Sequence, residues 1–177
     1  MNIGPTTQNA AEATRAEYRP AEIKILFVGE SPPAGGTFFY YGNSNLARYT
    51  REAFETAFDR RFSGMNAFLD FFKQQGCYLD DLCLVPVKNM NKTQRNAERQ
   101  RGADTLAERI QAYDPDYIII VMIGIEGHVV GALYRADLQS IPRTALPFPS
   151  HGNQSRYVNE LADTLKDLQD GDLLVKG

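Results

Sequence analysis

Ile23-Lys24-Ile25-Leu26-Phe27-Val28-Gly29-Glu30-Ser31-Pro32 is the stretch on which the fold turns. Ile23 to Val28 reads as a buried strand ending in Gly29, and a carboxylate follows at once. Outward from it, short apolar runs alternate with amphipathic stretches. Leu46, Tyr49, Ala53, Phe54, Ala57 and Phe58 recur at helical spacing, and Phe68, Leu69 and Phe72 mark a second helix closed by Gly76. A strand is expected around Tyr78 to Val85, then a helix presenting Ala103, Leu106, Ala107 and Ile110, stopped by Asp114-Pro115. The run Tyr117 to Ile123 gives a third strand, Glu126 to Tyr134 a short helix, Thr144 to Phe148 a fourth strand, and Val158 to Leu168 the last helix. Strands separated by helices read as βαβ units and hence a parallel sheet of the α/β class, covered by helices on both faces, with four strands.

The chain has 177 residues, enough for one domain with a substantial core. Residues 1–22 lack clear periodicity and are expected to form a loosely ordered lead-in or a peripheral helix, with a single domain over residues 23–177. Hydrophobic residues make up 43% and charged residues 23%, a globular composition that excludes a fibrous repeat. The longest apolar run is about half of what a membrane span needs, and no secretory signal is visible, so a cytoplasmic monomer that does not engage membranes is expected. Two cysteines, Cys77 and Cys83, match neither a zinc knuckle nor a redox pair and read as reduced core thiols. No metal site is expected.

In such folds ligands gather at the carboxyl ends of the strands. The loop after the first strand carries Glu30, Ser31, three glycines and the aromatic run Phe38-Phe39-Tyr40-Tyr41. Two readings are open: a packed loop whose rings finish the core, or a pocket where a planar ring stacks while Glu30 handles a proton or water. The loop after the fourth strand, Pro147-Phe148-Pro149-Ser150-His151-Gly152-Asn153, offers a hydroxyl, an imidazole and an amide where a helix begins. Phosphate contact and simple helix capping by Ser150 or Asn153 both fit. Between Lys88 and Arg101 five basic residues (Lys88, Lys92, Arg95, Arg99, Arg101) face one acid, Glu98, whereas the C-terminal helix is acidic and the net charge is −3. A polyanionic backbone suits the basic stretch, as does a plainly solvated helix face. Neither a dinucleotide fingerprint nor a phosphate-binding Walker loop occurs, and no G-x-S-x-G elbow is present. His128 reads as structural.

Val28-Gly29-Glu30-Ser31-Pro32, Asp81-Leu82-Cys83-Leu84-Val85-Pro86, Ile119-Ile120-Val121-Met122-Ile123-Gly124 and Pro149-Ser150, taken in order over residues 23–170, resemble the motifs of the uracil-DNA glycosylase superfamily. The resemblance implies a three-layer αβα sandwich with a four-stranded parallel sheet. It implies a hydrolase for DNA repair by base excision, which binds single- or double-stranded DNA, flips out a damaged or deaminated base and cleaves its N-glycosidic bond. By the same resemblance Glu30 positions or activates water, with Ser31 beside it. Phe39 or its neighbour Phe38 stacks on the base, and Asp81 falls where members read the base with Asn. Ser150 and the following turn, with Asn153, Lys88, Lys92 and Arg95, would contact phosphate.

Three residues depart from the pattern. Phe148 stands where the superfamily usually has His or Asn, and His151 is the candidate replacement for stabilising the departing base. Ser31 replaces Asp or Asn, which leaves Glu30 as the nearby carboxylate. Asp81 replaces Asn and, when ionised, only accepts hydrogen bonds, so uracil is not the expected base. Iron–sulfur members need four cysteine ligands, so no cluster or other cofactor is expected here. Two other functions compete: an inactive member that binds nucleic acid or a nucleobase-containing small molecule, and a small-molecule enzyme on a generic doubly wound sheet.

Overall fold

In a computed structural model, which describes residues 5–176, the chain is an α/β protein built on four parallel strands in the order β2-β1-β3-β4. The strands are β1 (Ile25–Gly29), β2 (Cys77–Asp81), β3 (Tyr117–Ile120) and β4 (Arg143–Ala145). The helices are α1 (Pro5–Glu17), α2 (Asn45–Ala57), α3 (Met65–Gln74), α4 (Lys92–Tyr113), α5 (Glu126–Arg135) and α6 (Gln154–Asp170). Every residue of β1 and β2 is buried, because both faces of a parallel sheet are covered by crossover helices. Helix α2 packs on α6 and α4 on α5, a pairing compatible with the three layers expected. A buried hydrogen bond of 2.8 Å between the Thr50 and Tyr157 hydroxyls joins α2 to α6. Rings of β1, α2 and α3 fill one side of the core, with Phe27 and Phe72 centroids 5.0 Å apart and Phe54 and Phe58 stacked at 5.6 Å.

The strands end earlier than their apolar runs. Beyond Asp81 the chain stays bonded to the β1 exit, since the Leu82 and Cys83 amides donate to the Gly29 and Glu30 carbonyls at 2.8 Å, but it no longer forms a ladder. Leu84 and Val85, expected inside the second strand, are exposed. The third run breaks at Ile120 into a 3-10 turn over Ile123–Ile125, and the fourth strand lies over Arg143–Ala145 instead of Thr144 to Phe148. Past the strands Leu84, Val85, Ile123 and Phe148 are exposed where the loops leave the sheet, while Leu82, Val121 and Leu146 remain buried.

The segment expected as a loosely ordered lead-in or a peripheral helix is helical from Pro5 to Glu17, while residues 1–4 of that segment lie outside the described residues. Ala11 and Arg15, one turn apart, are both buried. Arg15 reaches the outer edge of β2. It donates to the Leu79 carbonyl at 3.0 Å and the Asp81 carboxylate at 2.7 Å, and it pairs with Asp80 at 3.3 Å. The Tyr40 hydroxyl bonds the amide and the carbonyl of Leu79 at 2.7 and 3.0 Å, so this edge strand is sealed against further pairing. Cys77 and Cys83 are buried free thiols, and burial, with a smaller push from Glu30, raises the Cys83 thiol to about 12. Among the described residues no helix is long and apolar enough to cross a membrane.

Removing Arg15 leaves two carboxylates buried without one of their main counter-charges. Arg15→Met should cost about 3–5 kcal/mol. For a domain of this size that lowers the midpoint of thermal unfolding by roughly 10 °C or more, read by circular dichroism. A midpoint within 2 °C or so of wild type would mean that the docking of α1 contributes little.

Candidate functional site at the carboxyl ends of the strands

A cavity of about 450 Å³ opens where the four strands end. β1 supplies Gly29, the loop after it Glu30, Ser31, Phe38 and Phe39, and β2 supplies Leu79 and Asp81. Arg95 comes from α4, Met122 from the end of β3, and Phe148, Ser150 and His151 from the loop after β4. Residues distant in sequence meet because parallel strands all discharge their loops at one edge of the sheet. Eight of the eleven candidate residues line this cavity: Glu30, Ser31, Phe38, Phe39, Asp81, Arg95, Ser150 and His151. Lys88, Lys92 and Asn153 do not.

Glu30 is held by two arginines, one helical turn apart on α4. Oε1 accepts from Arg95 Nε at 2.6 Å and from Arg99 Nε at 2.7 Å, and Oε2 pairs with Arg95 Nη2. Burial alone would raise the carboxyl pKa. The hydrogen bonds and charges of Arg95 and Arg99 outweigh it and hold Glu30 below its ordinary value of 4.5. Glu30 is thus an ionised acceptor and a weak base, with spare lone-pair capacity at Oε2. The arrangement changes the reading of the basic stretch. Arg95 and Arg99 are engaged with Glu30 and Arg101 with Glu98, so of the five cations only Lys88 and Lys92 form no ion pair among the described residues. Arg95 is a partner of the candidate catalytic carboxylate before it is a phosphate ligand.

Asp80 and Asp81 have different environments although both are buried. Asp80 is saturated: Oδ1 accepts from the Asp81 amide at 2.7 Å and from Arg15, and Oδ2 accepts from the Tyr113 hydroxyl at 2.8 Å and from Arg109. Asp81 gives Oδ2 to Arg15 and has no hydrogen bond on Oδ1 among the described residues. Oδ1 lies over Gly29, so close that a Cβ there would come within 2.5 Å of it. Glycine is required at position 29 for this approach, not for its backbone angles. Burial pushes the Asp81 carboxyl above its ordinary value against the pull of Arg15.

The aromatic run divides differently from the sequence expectation. Phe38 and Phe39 touch the cavity but are only 4% and 3% exposed, and Phe39 packs at 5.3 Å on Phe72 of the core. The rings finish the core, and one side of them also forms the cavity wall. The ring with a face to offer is Phe148, 38% exposed at the mouth. The sequence marked Phe148 as the loss of a polar group and missed it as an aromatic surface.

His151 lies exposed on the rim in a left-handed backbone conformation (φ 51°), its Nδ1 2.9 Å from Ser150 Oγ. Asn153 precedes α6 but makes no side-chain cap, and Ser150 is turned to His151, so neither plays the capping role. Ser31 Oγ is weakly tied to the Val87 amide at 3.4 Å and to the Pro32 carbonyl at 3.3 Å. His128 does not line the cavity, and its pKa is lowered by burial and by Arg99. Among the described residues no group of three or more His, Cys, Asp or Glu is placed to hold a metal ion.

No protein-family model matches the chain, and no curated protein does. The site itself presents two carboxylate acceptors, buried Asp81 and half-buried Glu30, beside an apolar wall, an exposed ring and a polar rim.

Because Arg95 supplies the hydrogen bonds that most depress the Glu30 pKa, Arg95→Ala should move the Glu30 carboxyl titration upward, measured by carbon-13 NMR of the side-chain carboxyl. Glu30 titrating unchanged in that variant would show that Arg99 alone holds it.

Proposed function

We propose that the chain is a DNA-glycosylase-like hydrolase of uracil-DNA glycosylase-like fold, which cleaves the N-glycosidic bond of a damaged base flipped out of DNA. The observation that carries this reading is the meeting of Glu30, Asp81, Phe148 and His151, from three strand ends, at one cavity. A base stacked and paired in a duplex hides its Watson–Crick edge and keeps its reacting atoms out of an enzyme's reach, so it has to enter such a cavity to react. There, Oε2 of Glu30 orients a water and places negative charge beside the sugar as it becomes cationic. The C–N bond breaks with its electron pair going to the base, the water adds to the sugar carbon, and the proton it gives up passes through solvent to the departing anionic base. His151 on the rim is the group able to hydrogen-bond the departing base.

A second reading is favoured by one specific observation: Glu30 is already clamped by two guanidinium groups. A carboxylate so occupied suits a member that binds nucleic acid without cutting it.

Oligonucleotides carrying uracil, hypoxanthine, xanthine or alkylated bases, single- and double-stranded, separate the two after abasic-site cleavage. Glycosylase action predicts product that falls about 100-fold or more in Glu30→Gln. Retained salt-sensitive binding with no product from any substrate would instead establish the binder.

The charge distribution sets how that binding responds to salt. With Lys88 and Lys92 as the unpaired cations of the basic stretch, the slope of log affinity on log salt should be shallow, on the order of −2. Lys92→Ala should reduce its magnitude by about 1. A slope near −4 or steeper would mean that Arg95 and Arg99 leave Glu30 for phosphate.

A further inference from the structure

We propose that the cavity selects a base that keeps its exocyclic amine and is alkylated on a ring nitrogen, so that it enters as a cation, in preference to deaminated bases such as uracil. The inference rests on the nucleobase-pocket reading above and narrows it to one substrate class.

The first support is the unspent acceptor. Asp80 has both oxygens engaged, and Asp81 has Oδ2 on Arg15 at 2.7 Å, so Oδ1, which lies over the cavity-lining Gly29, is the oxygen of this pair with no hydrogen bond among the described residues. An ionised carboxylate oxygen can only accept. Uracil places its one ring N–H between two carbonyls, which a carboxylate repels, whereas adenine, cytosine and guanine each present an amine with two N–H donors. The second support is charge. Glu30 and Asp81 are both carboxylates, and the cation that lines the cavity, Arg95, is turned onto Glu30. Phe148 offers a ring face at the mouth, which attracts a cationic base more strongly than a neutral one.

The third support is the leaving group. At position 148 the cavity has a phenyl ring where a donor would be useful, and the imidazole of His151 sits exposed on the rim, where water competes for it. A neutral base departs as an anion unless it is given a proton or a hydrogen bond. A ring-alkylated cationic base needs neither. When its C–N bond breaks, the electron pair returns to the ring nitrogen and cancels the positive charge, and the neutral alkylated base leaves. Water supplies hydroxide to the sugar carbon, and its proton goes to solvent.

Matched ligands test this on the full chain by calorimetry. Adenine should bind at least about tenfold more tightly than hypoxanthine, and 7-methylguanosine at least about tenfold more tightly than guanosine. Asp81→Asn, checked for folding by circular dichroism, should erase the adenine preference. If that variant does not fold, the wild-type pairs decide alone. Hypoxanthine binding as well as adenine, or guanosine as well as its methylated form, overturns the proposal while the nucleobase pocket stands. Failure of all four to bind removes the pocket reading and the proposal together. Release of uracil but not of methylated purines from oligonucleotides would overturn the proposal and leave a glycosylase.

Discussion

Two adjacent carboxylates, Asp80 and Asp81, are buried at the carboxyl end of an edge strand, and the placement of much of the molecule follows from how their charge is answered. An uncompensated buried carboxylate costs several kcal/mol, so the fold must bring cations to it. Arg15 arrives on α1 from one side and Arg109 on α4 from the other, with the Tyr113 hydroxyl completing the shell. That requirement explains why a helix before the first strand is pinned to the far edge of the sheet. It also explains why α4 passes β2 so closely: Gly102 abuts the Leu82 carbonyl, with no room for a Cβ. Cations introduced for stability thereby fix the orientation of Asp81, leaving one oxygen toward Arg15 and the other over Gly29 at the cavity wall.

Glu30 repeats the arrangement with a different outcome. Its neighbours Arg95 and Arg99 also neutralise a carboxylate at a strand end, but Glu30 lies at the cavity wall and is less deeply buried than the aspartates. The site therefore contains a graded series: Asp80 saturated, Asp81 open on one oxygen, Glu30 ionised with capacity at Oε2. Such gradation lets residues of one type take different roles without any metal being invoked. A wall of Phe38, Phe39 and Leu46 lowers the local polarity around them, which strengthens every interaction that a ligand makes with the open oxygens.

Much of the framework was legible because it depends on local periodicity. The apolar run ending at Gly29, the helical spacing of Leu46 to Phe58 and the breaks at Gly76 and Asp114-Pro115 all locate elements that the structure contains. Convergence of Glu30, Asp81 and His151 followed from the rule that parallel strands empty to one side. Long-range ion pairs were not legible. Arg15 meets Asp81 across 66 positions and Arg95 meets Glu30 across 65, and no composition window spans such distances. The i, i+4 spacing of Arg95 and Arg99 was visible as a shared helix face, but it looked like free positive charge. Strand ends were misjudged for a related reason: Leu84, Val85 and Phe148 are apolar yet exposed, and apolarity alone does not distinguish a ladder residue from one at a cavity mouth.

The same pairings bear on how a polyanion could be recognised. A basic stretch that is four charges positive in the sequence becomes much weaker once Arg95 and Arg99 answer Glu30, and the chain as a whole carries a net charge of −3. Long-range attraction to a phosphate backbone is then modest, and salt attenuates what remains. On the proposed reading, affinity cannot come chiefly from phosphate contacts. It has to come from the cavity, where burial of a planar base against apolar side chains and an ionic or hydrogen-bonded contact to Asp81 are shielded from salt. A protein so arranged gains little from undamaged backbone and much from a base that fits, which places discrimination in the pocket and not in the surface charge.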